Sequence, residues 1–338
     1  MVGAQSKRDW FVLCLFITYS YSTFLKSKAL SITPITPAVT HSEGPYWDEK
    51  EQTLYYLDTF SATLHRWDSQ IEQLSSHKLE NHNSVGLIVP IKGEKNSFLV
   101  GADRDLFKLS WPTGLSKVKR DVLLKVEADK PKNQFNDGKI DSKGRVWIGT
   151  LTREDDLSVS PKGGTLYMIK CGEIRKEEEK ILNTSISNGI AWSKDNTKFY
   201  FTDSMEKTVA EYDYEEESGE ISNRRIIFDL HNHSDLEGIP DGMTIDINGN
   251  LWIALFGGHA VINVDPRTGQ IVNRIKMPVK YVTSVCFGGP QFADLFVTTS
   301  RLHLKENQLP KEPDAGCVFV VKNLGIRGLP GNEVIFYS

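Results

Sequence analysis

The sequence predicts an all-β protein built from one repeated unit, and three observations support this prediction. Apolar residues alternate or form short runs, without the sustained 3.6-residue period that indicates helices. Turn-forming residues separate these runs, as in residues 141–144, 246–250 and 265–269. Related stretches recur every 41 to 53 residues, and each interval holds four strand-like runs. Because four strands make one propeller blade, we predict a six-bladed β-propeller.

The repeats begin at residues that occupy matching positions in the pattern. These residues are Glu43, Ser84, Asn136, Asn188, Asp241 and Ser284. Four of the six carry a carboxylate or amide oxygen, and a glycine lies within two residues of each of these four. A radial repeat points equivalent side chains at its central axis, and oxygen ligands without a thiolate favour Ca²⁺, Mg²⁺ or Mn²⁺. The sequence therefore predicts a central divalent-metal site, although Asp-Gly and Asn-Gly also form ordinary turns.

Both ends of the predicted propeller belong to its last blade. Residues 31–39 contain two prolines, which an edge strand tolerates, and residues 317–325 read as a strand of the last repeat. Pairing these two segments would close the ring and remove an exposed edge. We therefore expect a single propeller domain over residues 31–338.

Residues 1–30 differ from the rest of the chain. Lys7 and Arg8 precede an apolar stretch over residues 10–25, which is shorter than the roughly 20 residues that span a bilayer. We expect a cleaved signal peptide, secretion and no stable membrane span. The alternative is a disordered leader on a cytoplasmic protein. The net charge of −4 gives no reason to expect nucleic acid as a partner.

Six short stretches together resemble one known family. They are residues 42–45 (SEGP), 135–139 (FNDGK), 186–189 (ISNG), 221–225 (ISNRR), 239–243 (IPDGM) and 284–289 (SVCFGG). The chain resembles the regucalcin family over roughly residues 41–330; the family is also called the senescence marker protein 30 or gluconolactonase-like family. Insect luciferin-regenerating enzymes belong to it as well. The resemblance implies a six-bladed propeller with one divalent cation at its axis.

The resemblance also implies roles for individual residues. The metal-binding positions of the family correspond to Glu43, Asn188 and Asp241, and Asp241 is also the base that activates water against a sugar lactone. Family substrate contacts correspond to Asn136 and Glu154. For the cation, Ca²⁺ is favoured, with Zn²⁺, Mg²⁺ and Mn²⁺ as alternatives.

One position departs from the family pattern. The family places an arginine two residues before the asparagine that corresponds to Asn136, and this chain has Gln134 there. Arginine offers a charged fork, whereas glutamine offers a neutral amide with one acceptor and two donors. We expect Gln134 to bind substrate differently from the arginine and to leave cation binding intact.

The function predicted from the sequence is a metal-dependent hydrolase of the lactonase type, acting on a sugar lactone or a similar small molecule. The alternative is a non-enzymatic calcium-binding protein that uses the same site for regulation. A secreted propeller that binds a partner away from its axis is a third interpretation, but no exposed apolar stripe in the sequence supports it.

Overall fold

The computed structural model describes residues 29–114, 117–172 and 176–336, and this part of the chain is nearly all β-structure. The leader predicted over residues 1–30 lies outside the described residues, except for residues 29 and 30. Short 3-10 helices occur at Thr59–Ser61, Ser204–Glu206, Leu230–Asn232, Pro290–Phe292 and Leu309–Lys311. Among the described residues, none of the helices has the length and apolar character needed to cross a membrane.

The strands follow one another as four-stranded antiparallel meanders. Strand β1 (Ser31–Pro34) precedes them. The next strands are β2 (Ser42–Asp48), β3 (Thr53–Asp58), β4 (Thr63–Asp68) and β5 (Gln73–Lys78), then β6 (Val85–Pro90), β7 (Ser97–Ala102), β8 (Asp105–Ser110) and β9 (Lys119–Lys125). The third group is β10 (Asn133–Ile140), β11 (Val146–Arg153), β13 (Gly164–Lys170) and β14 (Lys176–Thr184), and the two-residue β12 (Val159–Ser160) pairs with β11.

The second half of the chain continues the same pattern. Its strands are β15 (Ser187–Trp192), β16 (Lys198–Asp203), β17 (Thr208–Glu215) and β18 (Glu220–Asp229), followed by β19 (Ile239–Ile245), β20 (Leu251–Phe256), β21 (Ala260–Asp265) and β22 (Gln270–Lys276). The last are β23 (Tyr281–Gly288), β24 (Asp294–Ser300) and β25 (Phe319–Lys322). One residue pair, Phe256 with Tyr281, joins the last two meanders into a single sheet.

The first strand of each meander lies next to the first strands of the meanders before and after it. In chain order, β2 contacts β6, β6 contacts β10, β10 contacts β15, β15 contacts β19 and β19 contacts β23. Strand β23 contacts β2 and so closes the ring. The sheets are therefore arranged around a common axis, as in a propeller. The predicted pairing of the chain ends is confirmed, because β1 pairs antiparallel with β25, with Ile32 opposite Val321.

Buried aspartates fasten the hairpins that the turn pattern predicts. Asp141 accepts a hydrogen bond from the Trp147 indole at 2.9 Å, and Asp246 accepts one from the Trp252 indole at 2.9 Å. Arg145 adds a buried ion pair to Asp141. Because the indole nitrogens of Trp147 and Trp252 both have acceptors, these two rings can be buried between neighbouring sheets without leaving an N–H group unpaired.

Candidate functional site

A β-bulge interrupts the first strand of each meander at nearly the same place. The pairing shifts between Glu43 and Tyr46, Val85 and Leu87, Phe135 and Gly138, Asn188 and Ile190, Pro240 and Met243, and Val282 and Ser284. A bulge redirects a side chain that regular pleating would send elsewhere. The repeat starts seen in the sequence therefore lie within or beside the bulges.

The glycines that follow these residues allow neighbouring first strands to approach each other. A Cβ atom on Gly189 would lie 2.5 Å from the carbonyl oxygen of Asp241, and one on Gly242 would lie 2.0 Å from the hydroxyl oxygen of Ser284. Both glycines are inside strands. Their role is thus close packing around the axis, not the turn formation that Asn-Gly and Asp-Gly also favour.

A cavity of about 410 Å³ at one end of the axis contains the predicted oxygen ligands. We call it the carboxylate cavity. Its polar lining comprises His41, Glu43, Asn136, Arg153, Asn188, Ser204, Lys207, Asp241 and His303, and its apolar lining comprises Phe60, Leu157, Val159, Ile186, Met205, Ile239, Phe256 and Leu302. The structure therefore brings together Glu43, Asn136, Asn188 and Asp241, as the repeat pattern predicts.

Neither carboxylate of this cavity forms an ion pair with a lysine or arginine among the described residues. Glu43 exposes 13% of its side chain, and its Oε2 accepts a hydrogen bond from the Gly44 amide at 2.9 Å. Burial, followed by the charges of Asp241 and Asp137, raises the pKa of Glu43 well above its ordinary value. Burial and then the charge of Asp137 likewise raise the pKa of Asp241. Both carboxylates therefore need a proton or a cation.

The amides beside the carboxylates are held by hydrogen bonds that leave acceptor oxygens for other partners. The Asn188 side-chain nitrogen donates to Ser204 Oγ at 3.0 Å, and the Asn136 side-chain nitrogen donates to the Ser187 carbonyl at 3.0 Å. The Asp241 Oδ1 atom is buried and has no hydrogen-bond partner among the described residues. An orphaned carboxylate oxygen next to a second carboxylate and an amide fits a hard divalent cation.

The donor set differs from that of the usual His- and Cys-rich centres. The described residues contain no group of three or more His, Cys, Asp or Glu side chains placed to hold a metal ion. Glu43 and Asp241 supply two such side chains, and the third predicted ligand, Asn188, is an amide. A cation bound here would meet an oxygen set with two negative charges.

Comparison with known proteins shows the family to which the chain belongs. A sequence profile described as the SMP-30/Gluconolactonase/LRE-like region matches residues 41–301. The chain belongs to this family. Regucalcin of Danio rerio is 35% identical to it over 294 residues, which are 85% of this chain and 92% of that protein. Regucalcin of Homo sapiens is 34% identical over 290 residues, with the same two coverages.

Solved structures of the SMP-30/gluconolactonase-like family superpose closely on the chain. A luciferin-regenerating enzyme aligns with a TM-score of 0.84 at 34% identity, covering 91% of this chain and all of that one. Regucalcin from Agrobacterium tumefaciens, described as a calcium-binding protein, aligns with a TM-score of 0.79 at 25% identity, covering 91% and 98%.

Two predicted substrate contacts of this SMP-30/gluconolactonase-like chain do not line the carboxylate cavity. Glu154 instead binds the Lys132 ammonium at 2.7 Å and the Ser160 hydroxyl at 2.5 Å. The Gln134 side-chain nitrogen is buried and has no hydrogen-bond partner among the residues that the structure describes. The roles of Glu154 and Gln134 in substrate binding therefore stay predictions.

Several residues at the mouth of the cavity were not predicted from the sequence. Arg153 ends strand β11, Lys207 follows a 3-10 helix, and His41 and His303 come from opposite ends of the chain. No repeated spacing connects these positions. Only the position of Arg153 in the sequence could have indicated a functional role, because it follows the strand-like run 147–152 and precedes the predicted substrate contact Glu154.

A second cavity, of about 320 Å³, lies at the other end of the axis, and we call it the lysine cavity. It is lined by Asp137, Lys139 and Cys286 and by the apolar ends of the first strands, and residues 329–332 border it. The Lys139 ammonium donates to the Met243 carbonyl. Burial lowers the pKa of Lys139, and the charge of Asp137 acts in the opposite direction. Neither the repeat pattern nor the family resemblance predicts a role for this cavity.

Proposed function

We propose that the chain is a divalent-metal-dependent hydrolase of the lactonase type, built as a six-bladed propeller. The observation that carries this proposal is the convergence of Glu43, Asn188 and the unpartnered Asp241 Oδ1 in one cavity. Each meander is counted as one blade, with the pairing of β1 and β25 completing the last. Membership of a family that includes gluconolactonases supports the choice of reaction.

Charge balance supports a divalent cation as the cofactor. The axis holds three buried or nearly buried carboxylates, Glu43, Asp137 and Asp241. The Lys139 ammonium lies close enough to Asp137 to oppose the rise of its pKa. These four groups leave a surplus of two negative charges, which equals the charge of one Ca²⁺, Mg²⁺ or Mn²⁺ ion. Arg153 and Lys207 also line the cavity, but neither forms an ion pair with Glu43 or Asp241 among the described residues. Ca²⁺ is the favoured ion, because it accepts irregular sets of carboxylate and carbonyl oxygens.

Each residue has a distinct part in the proposed reaction. Glu43, Asn188 and Asp241 would hold the cation, which supplies Lewis acidity toward the lactone carbonyl and a lowered pKa for bound water. The Asp241 carboxylate oxygen that does not hold the cation takes the proton of the attacking water as the new carbon–oxygen bond forms. When the ring carbon–oxygen bond breaks, the same oxygen returns that proton to the leaving alkoxide. Asn136 orients the substrate at the cavity wall.

Replacing Asp241 tests the proposal. With purified full-length protein in Ca²⁺, Asp241→Ala should lower the hydrolysis of a lactone panel by about 100-fold or more, the usual size of a lost general base. Asp235→Ala is the matched control, because the Asp235 side chain is 74% exposed and lies outside the cavity. An Asp241→Ala variant that is as active as wild type would contradict the assignment.

The competing function is calcium binding without catalysis at the same site. It is favoured by the position of Gln134, which is neutral and lies outside the cavity lining, and by the description of a similar structure as a calcium-binding protein. Calorimetric titration with Ca²⁺, run beside the lactone panel, separates the two functions. Tight Ca²⁺ binding with no turnover of any lactone supports the competing function.

We also propose that the protein is secreted, on the basis of the basic and apolar leader alone. Expression of the full chain in animal cells should place it in the culture medium, with residues 1–30 removed. Retention in the cytoplasm of cells expressing the intact leader would support the alternative of a cytoplasmic protein.

A further inference from the structure

The mouth of the carboxylate cavity holds a guanidinium without a carboxylate partner. Arg153 forms no ion pair within the described part of the chain, and its buried Nε atom has no hydrogen-bond acceptor. Its guanidinium donates from Nη1 to the Leu157 carbonyl at 3.0 Å. Its guanidinium carbon also lies 5.2 Å from the centre of the Phe60 ring. Arg153 is half-buried, and a partly desolvated cation of this kind is stabilised when an anion joins it.

A second cation lines the same cavity. Lys207 also forms no ion pair among the residues that the structure describes, although it borders a cavity with Glu43 and Asp241 at its base. His41 lies beside Glu43, with its Nε2 atom 4.0 Å from Glu43 Oε1, and its Nδ1 atom shares a 2.8 Å hydrogen bond with the Ser300 hydroxyl. The cavity therefore has anionic oxygens at its base and two uncompensated cationic side chains elsewhere in its lining.

The remaining wall of the cavity is apolar and aromatic. Phe60 and Phe256 flank His41, with ring centres 5.1 Å and 6.2 Å from the imidazole. The other apolar side chains are Leu157, Val159, Ile186, Met205, Ile239 and Leu302. A polyhydroxylated ligand would leave hydroxyl groups unpaired against this wall, which weakens binding in a buried site.

We propose that this cavity selects a substrate with an apolar or aromatic body and an anionic group, with Arg153 as the residue that recognises the anion and Lys207 as its support. The substrate body would lie against Phe60 and Phe256, and its reactive carbonyl would face Glu43, Asn188 and Asp241. A carboxylate matches the guanidinium fork of Arg153 better than the point charge of a lysine. The inference rests on the proposed function, because it names the substrate class of the same site.

Binding of two non-hydrolysable probes tests the proposal without requiring turnover. The probes are 3-phenylpropanoate and the neutral 3-phenylpropan-1-ol, titrated calorimetrically into full-length protein in excess Ca²⁺ and, separately, in chelator. Wild type should bind the carboxylate about tenfold or more tightly than the alcohol, as expected for a charge-assisted hydrogen bond in a partly buried site. Arg153→Gln should abolish this preference, and Lys207→Gln should reduce it.

Matched variants keep the result interpretable. Arg274→Gln removes an exposed arginine of strand β22 that lies outside the cavity, and it should retain the wild-type preference. Arg153→Lys keeps the positive charge and should retain part of the preference, which also provides a reading if Arg153→Gln folds poorly by circular dichroism. The proposal is overturned if wild type binds the two probes equally or not at all. It is also overturned if Arg153→Gln still prefers the carboxylate, because the bound cation would then be the source of that preference.

The outcome can be separated from that of the proposed function. If wild type hydrolyses no lactone but binds 3-phenylpropanoate in an Arg153-dependent way, the hydrolase proposal is wrong and the proposed ligand class is supported. If Asp241→Ala lowers hydrolysis but Arg153→Gln affects no anionic substrate, the hydrolase proposal is supported and the proposed ligand class is wrong.

Discussion

The two ends of the central axis are built from the same strands, yet they differ in charge. Strand β2 lines the carboxylate cavity with Glu43 and the lysine cavity with Tyr46 and Trp47. Strand β10 similarly gives Asn136 to the first cavity and Asp137 and Lys139 to the second. The bulge of β2 lies between Glu43 and Tyr46, and the bulge of β10 contains both Asn136 and Asp137, so the linings of the two cavities meet at the bulges.

Compensation of charge distinguishes the two ends. In the lysine cavity, the Asp137 carboxylate and the Lys139 ammonium influence each other's pKa in the direction of mutual stabilisation, although no ion pair of 4.0 Å or less joins them. In the carboxylate cavity, Glu43 and Asp241 face each other's negative charge. The lysine cavity can therefore have a purely structural role, because its charges offset each other. The carboxylate cavity needs an added cation, because Glu43 and Asp241 repel each other.

The largest expected effect is on cation binding. Asp241→Asn would make the carboxylate cavity more like the balanced lysine cavity. Because a ligand charge is lost, Ca²⁺ affinity measured by calorimetry should fall by more than about 100-fold. Mutating a group that only orients a metal ligand typically lowers metal affinity by about 10- to 100-fold, and loss of a ligand charge should cost more. Asp137→Asn, which does not line this cavity, should change the affinity much less. Equal losses in the two variants would mean that the cation does not distinguish the two ends.

Replacing Lys139 should disturb the balanced end. In Lys139→Met, the Met243 carbonyl loses its donor and Asp137 loses the nearby positive charge. The free energy of unfolding, measured with urea, should fall by roughly 1–3 kcal/mol. Adding Asp137→Asn to this variant should restore part of the loss. Lys50→Met is the control, because its ion pair with Glu333 is exposed and should matter little.

The unbalanced end should make metal-free protein sensitive to pH. The folded-state pKa values of Glu43 and Asp241 lie above those of the unfolded chain, so the folded chain binds more protons between the ordinary carboxyl pKa and the raised values. Stability in chelator should therefore fall as pH rises through that window. Ca²⁺ should restore it, because the ion replaces the protons.

Thermal unfolding at several pH values, with and without chelator, measures this effect. Other carboxylates also titrate, so the relevant quantity is the difference between wild type and Glu43→Gln/Asp241→Asn. The double variant should lack the decline in chelator and the rescue by Ca²⁺. A wild type whose melting temperature follows that of the double variant at every pH would contradict the prediction.

The smallest expected effect concerns substrate preference at the carboxylate end. Gln134→Arg should raise hydrolysis of a sugar lactone by up to about tenfold, because a hydrogen bond to a charged donor is stronger than one to a neutral amide. Ca²⁺ binding should not change. Gln73→Arg, on the exposed outer strand β5, serves as the control. A wild type as active on that lactone as Gln134→Arg would count against the predicted role of Gln134.

The sequence predicted those parts of the site that repeat along the chain. Glu43, Asn136, Asn188 and Asp241 recur at the same place in a unit of four strands, and a closed arrangement of equivalent strands makes such positions converge. Family resemblance then separated the three proposed metal ligands from Asn136. The pairing of the chain ends was also predictable, because two prolines in residues 31–39 indicated an edge strand.

The rest of the site was not predictable because it does not repeat. Arg153 and Lys207 come from unrelated connections, and only their common position at one cavity mouth identifies them as a pair of uncompensated cations. Gln134 and Glu154 lie close to Asn136 and Arg153 in sequence, yet neither side chain lines the cavity. Side-chain direction there depends on bulges and on local partners such as Lys132, which a linear pattern does not reveal.

The sequence by itself determined the repeated β-unit, the closing strand and the oxygen-rich character of the axis, because periodic patterns specify equivalent positions. Only the tertiary structure decided which residues face each end of the axis and which charges remain uncompensated. The physical reason is that burial and Coulomb interaction depend on distances between strands far apart in the chain, and those distances exist only once the ring has closed.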